Sequence, residues 1–431
     1  MRDNSAKRLN QTNEILELKY SQNDITDSLR FAREKAQERF RTLGVPMSKD
    51  EYWKFSSPQK FTALDSTEKK HTVVTTPSIE LKSEDLNIFF IDGVLDEELS
   101  DLNSSWPNLE IVRITDKNLT DKPWIQNLYG ELEAASQNKI KRPLAALNTA
   151  CASDGIFVRV KQGKSAKICI HYIRNKSHSD SMLHNLVKLE ENSSLTLIEK
   201  GEGATRLNRV TEINLLPKSN LNHVRFFGDD ILADVLSQIF VKQDCNSNYN
   251  EFSVIINNEF IRNEFYVSLE GEQAKVSLSG ANLANQTNVQ DDTIFIAHLK
   301  RDCESRQVFK KVLKDNATGI FQGKIYVTSE AQQTDGYQIS KGLLIGADSK
   351  FLTKPELEIY ADDVICSHGS TCGAIDEDSL FYLASRGVSR TEAISMLILA
   401  FLDEAVQEIE NDELADEMRN ILRQGSEIII D

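Results

Sequence analysis

Cys366, His368 and Cys372 fall within seven residues, in the run from Glu356 to Gly373. The run begins as a strand, because Leu357, Ile359, Val364 and Ile365 favour extended backbone. Cys366 and His368 are two apart, so on a strand they share a face. A thiol and an imidazole on one face can bind a metal, form a nucleophile pair, or pack as ordinary side chains. A neutral imidazole is a good iron ligand when its lone pair faces a partner. A thiolate binds iron and sulfide well. The plainer alternatives are a histidine hydrogen-bonded inside a coil and a cysteine packed as a small apolar group. Cys366, His368 and Cys372 could also be zinc ligands, but structural zinc takes four and only three are local.

Elements at both ends of a long β region must position these residues. The 431 residues allow two or three domains. With 40% hydrophobic and 27% charged residues, the composition is that of a globular protein. The net charge of −16 argues against nucleic acid or an anionic membrane as partner, since either needs a basic face. No apolar run approaches the ~18 residues of a membrane span; Met396 to Leu402 is the densest. The start of the chain has no apolar leader, so the six cysteines read as reduced thiols of a cytoplasmic protein. No CxxC, Walker A or GxGxxG pattern occurs, and no nucleotide is expected on the chain.

Residues 1 to 13 are expected to be disordered, and 14 to 43 to be helical in two pieces, the second from Thr26 to Leu43. Residues 56 to 84 read as a polar surface excursion. Ile88 to Ile91 and Leu109 to Ile114 read as strands, the first ended by an Asp92-Gly93 turn, and 124 to 150 as helix broken at Pro143. Residues 1–150 thus form a mixed helical and αβ domain.

From 151 to 374 the pattern changes to strands separated by polar turns. Val187, Ile213, Ile239 and Phe265 each begin a strand at a spacing of 26, and Leu195 and Leu221 are also 26 apart. A fixed period built from strands alone predicts a parallel β-helix. An antiparallel sandwich with chance spacing is the alternative. Beyond Gly373 the pattern is helical. Asp376 to Asp378 suit a helix N-terminus, Gly387 a stop, and Ser389 to Glu392 a capping box. Residues 375–431 form a helical domain that either caps the solenoid or docks a partner. Cys151, Cys169, Cys245 and Cys303 read as core thiols, His223 and His298 as structural or surface residues, and Glu404 to Glu417 as a solvated face.

The run Lys354 to Val364, Cys366-Ser367-His368-Gly369, Phe381-Tyr382-Leu383 and Ser385-Arg386-Gly387 resembles the SufB/SufD family of iron–sulfur cluster assembly scaffolds. Ser305 to Gln307, Phe321 to Ile325, Val327 to Gln338, Trp53-Lys54-Phe55, Phe90 to Gly93 and Leu147-Asn148 extend the likeness over nearly the whole chain. SufB-type members carry a cysteine where Ser349 stands, and His-Glu where this chain has His368-Gly369. Both departures favour the SufD type over the SufB type.

The resemblance implies a right-handed parallel β-helix core with helical subdomains at both ends. It also implies a scaffold subunit without catalytic turnover, paired with a SufB-like chain and bound to the ATPase SufC. A cysteine desulfurase system would feed it sulfur indirectly. By motif, His368 falls at the SufB-facing assembly site, where a transient cluster or iron is held, with Cys366 beside it. Phe381, Tyr382, Arg386 and Gly387 fall in the SufC-docking helices. The competing reading of β-helix chains, a polysaccharide-active enzyme, needs clustered carboxylates on one coil face. Asp362 and Asp363 are the only adjacent acidic pair in the late coils, and adjacent strand residues face opposite ways.

Overall fold

The computed structural model describes residues 2–20, 27–65, 68–69, 85–103, 106–228 and 232–430. Most of the stretch expected as a polar excursion, 66–67 and 70–84, lies outside them.

In chain order, helices α1 (Arg2–Tyr20), α2 (Arg30–Leu43) and α3 (Gln59–Thr62) precede strands β1 (Leu86–Ile91), β2 (Val94–Asp96) and β3 (Leu109–Arg113). Helices α4 (Pro123–Gln126), α5 (Glu131–Ser136) and α6 (Pro143–Cys151) follow. The solenoid strands are β4 (Ile156–Val160), β5 (Ser165–Ile173), β6 (Asp180–Leu189), β7 (Ser194–Lys200), β8 (Arg206–Leu215), β9 (Asn220–Phe227), β10 (Asp234–Gln243) and β11 (Asn248–Ile256). They continue as β12 (Phe260–Leu269), β13 (Lys275–Ala284), β14 (Val289–His298), β15 (Glu304–Leu313), β16 (Thr318–Val327), β17 (Thr334–Leu344), β18 (Lys350–Ile359) and β19 (Val364–Gly373). Helices α7 (Glu377–Ser385), α8 (Arg390–Val406) and α9 (Asp412–Ile430) close the chain.

Two parallel sheets run the length of a β-solenoid of about seven turns. Sheet A carries the odd strands from β19 to β5 and then β1 and β2; sheet B carries the even strands from β18 to β4 and then β3. The counted period is right at two of its three steps. Val187 lies beside Ile213, and Ile239 beside Phe265, but Ile213 lies beside Val241, two residues later than expected. Leu195 pairs with Leu221 as expected. The coil length varies because the turns between strands vary, while the hydrogen-bonded register within strands holds. One corner repeats at each coil, with a left-handed residue at Asn192, Lys218, Asn246, Gln273, Asp302 and Gln333. Asn and Asp tolerate that conformation best, which is why polar turns punctuate the pattern.

The N-terminal region differs from expectation in two places. A single helix, α1, spans most of the residues expected to be disordered. Tertiary bonds hold it: Val45 N donates to Thr12 Oγ1 at 3.0 Å, Gln11 Nε2 donates to the Thr62 carbonyl, and Arg8 pairs with Asp50. Local periodicity carries no trace of such contacts. Residues 56–62 are packed rather than a surface excursion. Phe61 meets Phe260 edge to face at 5.7 Å, and Ser56 Oγ donates to Asp291. Pro143 opens α6 instead of breaking a longer helix, as suits a residue without an amide hydrogen.

The solenoid interior is apolar along most of its length, with Leu183, Ile213, Ile239, Phe265 and Ile294 stacked through it. A buried polar spine crosses it. Tyr172 donates to Glu199 at 2.7 Å, Arg225 donates to Glu251, Ser237 and Asn263, and Asn263 donates to Asp292, which also pairs with Lys311. Helices α5 and α6 lie on sheet B, and α8 and α9 on sheet A. The terminal hairpin therefore lies along the solenoid's flank and leaves its last coil uncovered. Lys310 and Lys341 pair with Glu404, and Arg306 with Glu408. The acidic run expected to be solvated thus ties α8 to the sheet.

Histidines inside the fold make it acid-sensitive. Burial pushes His298 down to about 3 from 6.5, and lowers His184 and His223 too. His298 accepts or donates at Ser305 Oγ, 2.8 Å away. The unfolded chain binds a proton at this site near pH 6.5 and the folded chain does not. The stability that site contributes is therefore whole above 6.5 and lost as pH falls toward 3. Urea unfolding of His298→Gln is expected to weaken less on acidification than wild type, by up to about 1.4 kcal/mol per pH unit across that window. Parallel acid profiles of the two proteins would show that His298 does not contribute.

Candidate functional site

Strand β19 is the outermost strand of sheet A and β18 the outermost of sheet B. Each is hydrogen-bonded on one side only, so the last coil presents open backbone edges. The opposite end differs: β2 pairs antiparallel on β1, and β3 antiparallel on β4.

Along β19, side chains alternate between the solenoid interior and its outer face. Cys366 points inward, with its sulfur near Ile325 and Leu357 in a partly buried apolar cluster. A Cβ on Gly336, the residue beside it, would sit 3.1 Å from that sulfur. Gly369 faces outward, toward Ile339. His368, between them, therefore shares the inward face with Cys366, and Ser370 continues that face by bonding Ser340 at 3.1 Å. Because no further coil lies over it, the His368 side chain is exposed at the mouth of the solenoid. Across the mouth stand Thr353, Pro355 and Leu357 of β18, each half-buried. Burial pushes the Cys366 thiol up, so it is less ready to ionise than a free thiol.

Cys372 lies on the same face at the far end of the strand, about 20 Å from Cys366 at a strand's rise per residue. Among the described residues, no group of three His, Cys, Asp or Glu side chains could hold a metal ion. The zinc reading does not fit.

The rim of the mouth is apolar and exposed. Ile365 is 75% exposed on β19, and Tyr360 is 59% exposed after β18. Tyr360 ends an aromatic ladder on sheet B that runs from Tyr266 through Phe295 and Tyr326. On the same face of sheet B, Lys324 pairs with Glu358 and Lys354 with Glu51 and Glu356, while Asp362 and Asp363 are exposed just beyond Tyr360. Ser349 sits in the turn before β18 and donates to the Gly346 carbonyl at 2.8 Å.

A second apolar surface lies on α7. Asp376 caps this helix by accepting from Ser379 N, and Ser389 caps α8 by accepting from Glu392 N. Gly387, at a φ of 85°, makes the turn between them. Leu380 is the residue α7 buries, while Phe381 is 77% and Tyr382 58% exposed. The Arg386 guanidinium lies over the Tyr382 ring, 5.3 Å from its centre.

The partners of the structural histidines escaped sequence reasoning. His223 bridges Glu199 and Tyr249, and His184 bridges Asn148 and Glu212, all of them buried. Strand periodicity places them, but their partners lie on other coils or on α6, at separations no local pattern contains. Cys151, Cys169 and Cys303 are buried as expected and Cys245 is half-buried.

No helix among the described residues is long and apolar enough to cross a membrane. Residues 171–401 match the SUF system FeS cluster assembly, SufBD core domain. The chain is 25% identical to the iron–sulfur cluster assembly protein SufD of Escherichia coli over 395 residues, 90% of each chain. It is also 25% identical to a SufBD family protein of Synechocystis over 407 residues, 90% of this chain and 89% of the other. A SufBD family protein of Staphylococcus epidermidis is 23% identical over 322 residues, 73% of this chain and 68% of that one. With its core matched and its solenoid, helical ends and SufD likeness in agreement, the chain belongs to the SufBD family of SUF-system iron–sulfur cluster assembly proteins, on its SufD-like side.

Proposed function

We propose that this chain is one half of a two-scaffold assembly site, pairing through its last coil with a SufB-type chain. The observation that carries the reading is the unpaired terminal coil with His368 exposed at its mouth. Two inward ligands, His368 and Cys366, leave iron or a nascent cluster short of the four donors such centres take. A facing chain would supply the rest. Iron and sulfide are here the cargo, held in transit and passed on. The exposed rim of Ile365 and Tyr360 gives the partner apolar surface to cover, and the edges of β18 and β19 give it backbone to pair with.

Phe381, Tyr382, Arg386 and Gly387 form the docking surface for a SufC-type ATPase in this reading, and ATP hydrolysis belongs to that partner. Sulfur would arrive through the SufB-type chain from a cysteine desulfurase. Six free cysteines support a reducing, cytoplasmic setting.

A charge on an edge strand opposes strand addition. Ile365→Asp is therefore expected to weaken pairing with the SufB-type chain of the same organism by about tenfold or more, read by titration of the purified proteins. Pairing at wild-type affinity would remove the open coil from the interface.

A further inference from the structure

His368 does not stand alone on its face. Gln307 of β15, Gln338 of β17 and His368 of β19 occupy one row of the sheet, Gln307 beside Gln338 and Gln338 beside His368. Both glutamines are fully buried. Gln338 Nε2 donates to Gln307 Oε1 at 2.8 Å. The space its head occupies exists because position 323 is glycine; a Cβ there would lie 2.0 Å from Gln338 Nε2. The other end of that amide, Oε1, is buried and has no hydrogen-bond partner. A buried carbonyl oxygen without a donor is costly, and the side chain on the next rung toward the open end is the imidazole of His368. Side chains on neighbouring rungs of a sheet are about 5 Å apart, within reach of a hydrogen bond between an amide and an imidazole.

We infer that Gln338 is a positioning residue for His368: a rotation of the imidazole on its rung lets Oε1, unpartnered in the structure, accept the Nδ1–H. The nitrogen that carries the proton is set by the hydrogen bond it makes, and a ligating histidine generally donates its other N–H to such a group. Nδ1 is the ring nitrogen nearer the backbone, and Nε2 lies at the ring's outer end. With Nδ1 protonated and held from below, Nε2 keeps its lone pair toward the mouth, where cargo and partner would meet it. Gln307 acts one step further back, by holding the amide so that its oxygen faces β19. This inference rests on the reading of His368 as a ligand.

The test is the tautomer of His368, read by nitrogen chemical shifts of the full-length chain labelled at histidine, without iron and at a pH where the imidazole is neutral. Wild type is expected to be the Nδ1–H tautomer. Gln338→Met, which keeps the length of the side chain and removes the acceptor, is expected to shift His368 to Nε2–H. Gln338→Glu, which keeps an acceptor, is expected to retain Nδ1–H. A wild-type chain in the Nε2–H form, or no change in Gln338→Met, overturns the inference, and the wild-type result stands even if a variant fails to fold. In the complex, Gln338→Met is expected to lower iron affinity 10–100-fold, the range for loss of a supporting group. Iron retained by Gln338→Met but lost by His368→Ala would refute the positioning role while leaving the assembly site intact. Iron retained by both would refute the assembly site itself.

Discussion

Replacing Phe381 and Tyr382 together by aspartate is expected to lower affinity for the SufC-type ATPase by about 100-fold or more. Large exposed aromatics rimmed by polar residues carry much of the energy at interfaces, and two such anchors at about 2 kcal/mol each exceed the 2.8 kcal/mol of a 100-fold change. Burial of neither ring holds the chain together. Helix α7 is anchored by Leu380 and its Asp376 cap, while Phe381 and Tyr382 project outward at 77% and 58% exposure. The double variant should therefore fold and melt as wild type does. Arg386, stacked over Tyr382, adds a cation to the same patch and should matter less alone. Calorimetric titration with the ATPase checks this. Undiminished binding would move the docking surface elsewhere, for example to the groove between α8 and α9 lined by Leu399, Asp403 and Arg419.

His368→Ala is expected to cost the assembled complex most of its iron and sulfide while leaving the chain and its pairing intact. His368 is exposed and its side chain has little packing to lose, so the stability change should stay within about 0.5 kcal/mol. The loss of a ligand should exceed the 10–100-fold that loss of a mere supporting group costs. Cys366→Ser is expected to have the smaller effect. The thiol packs in the apolar cluster with Ile325 and Leu357, and burial pushes its pKa up, so forming the thiolate there costs more.

The solenoid was legible because its signal repeats. Strand after strand places β-branched and aliphatic residues on one face, and polar residues tolerant of left-handed backbone sit at the corner of each coil. The exact period was not legible, because a two-residue change in one turn shifts Ile213 from Ile239 to Val241 without disturbing the alternation. The same alternation correctly put Cys366 and His368 on one face. It could not say that this face points into the solenoid, nor that the mouth above it is open, because both depend on where the terminal helices lie. Those helices sit along sheet A, with Ile398, Leu402 and Met418 in one buried cluster with Val254, Leu283 and Val308, and with Lys310, Lys341 and Arg306 meeting Glu404 and Glu408 across 63 to 102 residues of sequence. The order of α1 escaped for a similar reason: Thr12 and Arg8 are held by Val45 and Asp50, far along the chain. The buried spine from Tyr172 to Lys311 escaped as well. A strand that reads as polar and half-buried gives no hint that its Arg225 finds Glu251, Ser237 and Asn263 inside the coil.

In the proposed function, the last coil is half of a shared iron–sulfur site with His368 as its ligand. The most direct measurement is anaerobic iron and acid-labile sulfide analysis of the complex purified with its SufB- and SufC-type partners, wild type beside His368→Ala. The expected result is a mutant complex of normal composition that has lost most of its iron and sulfide. A mutant complex that forms normally and carries the wild-type content would contradict the claim, and would leave His368 as an exposed residue at the end of a structural solenoid.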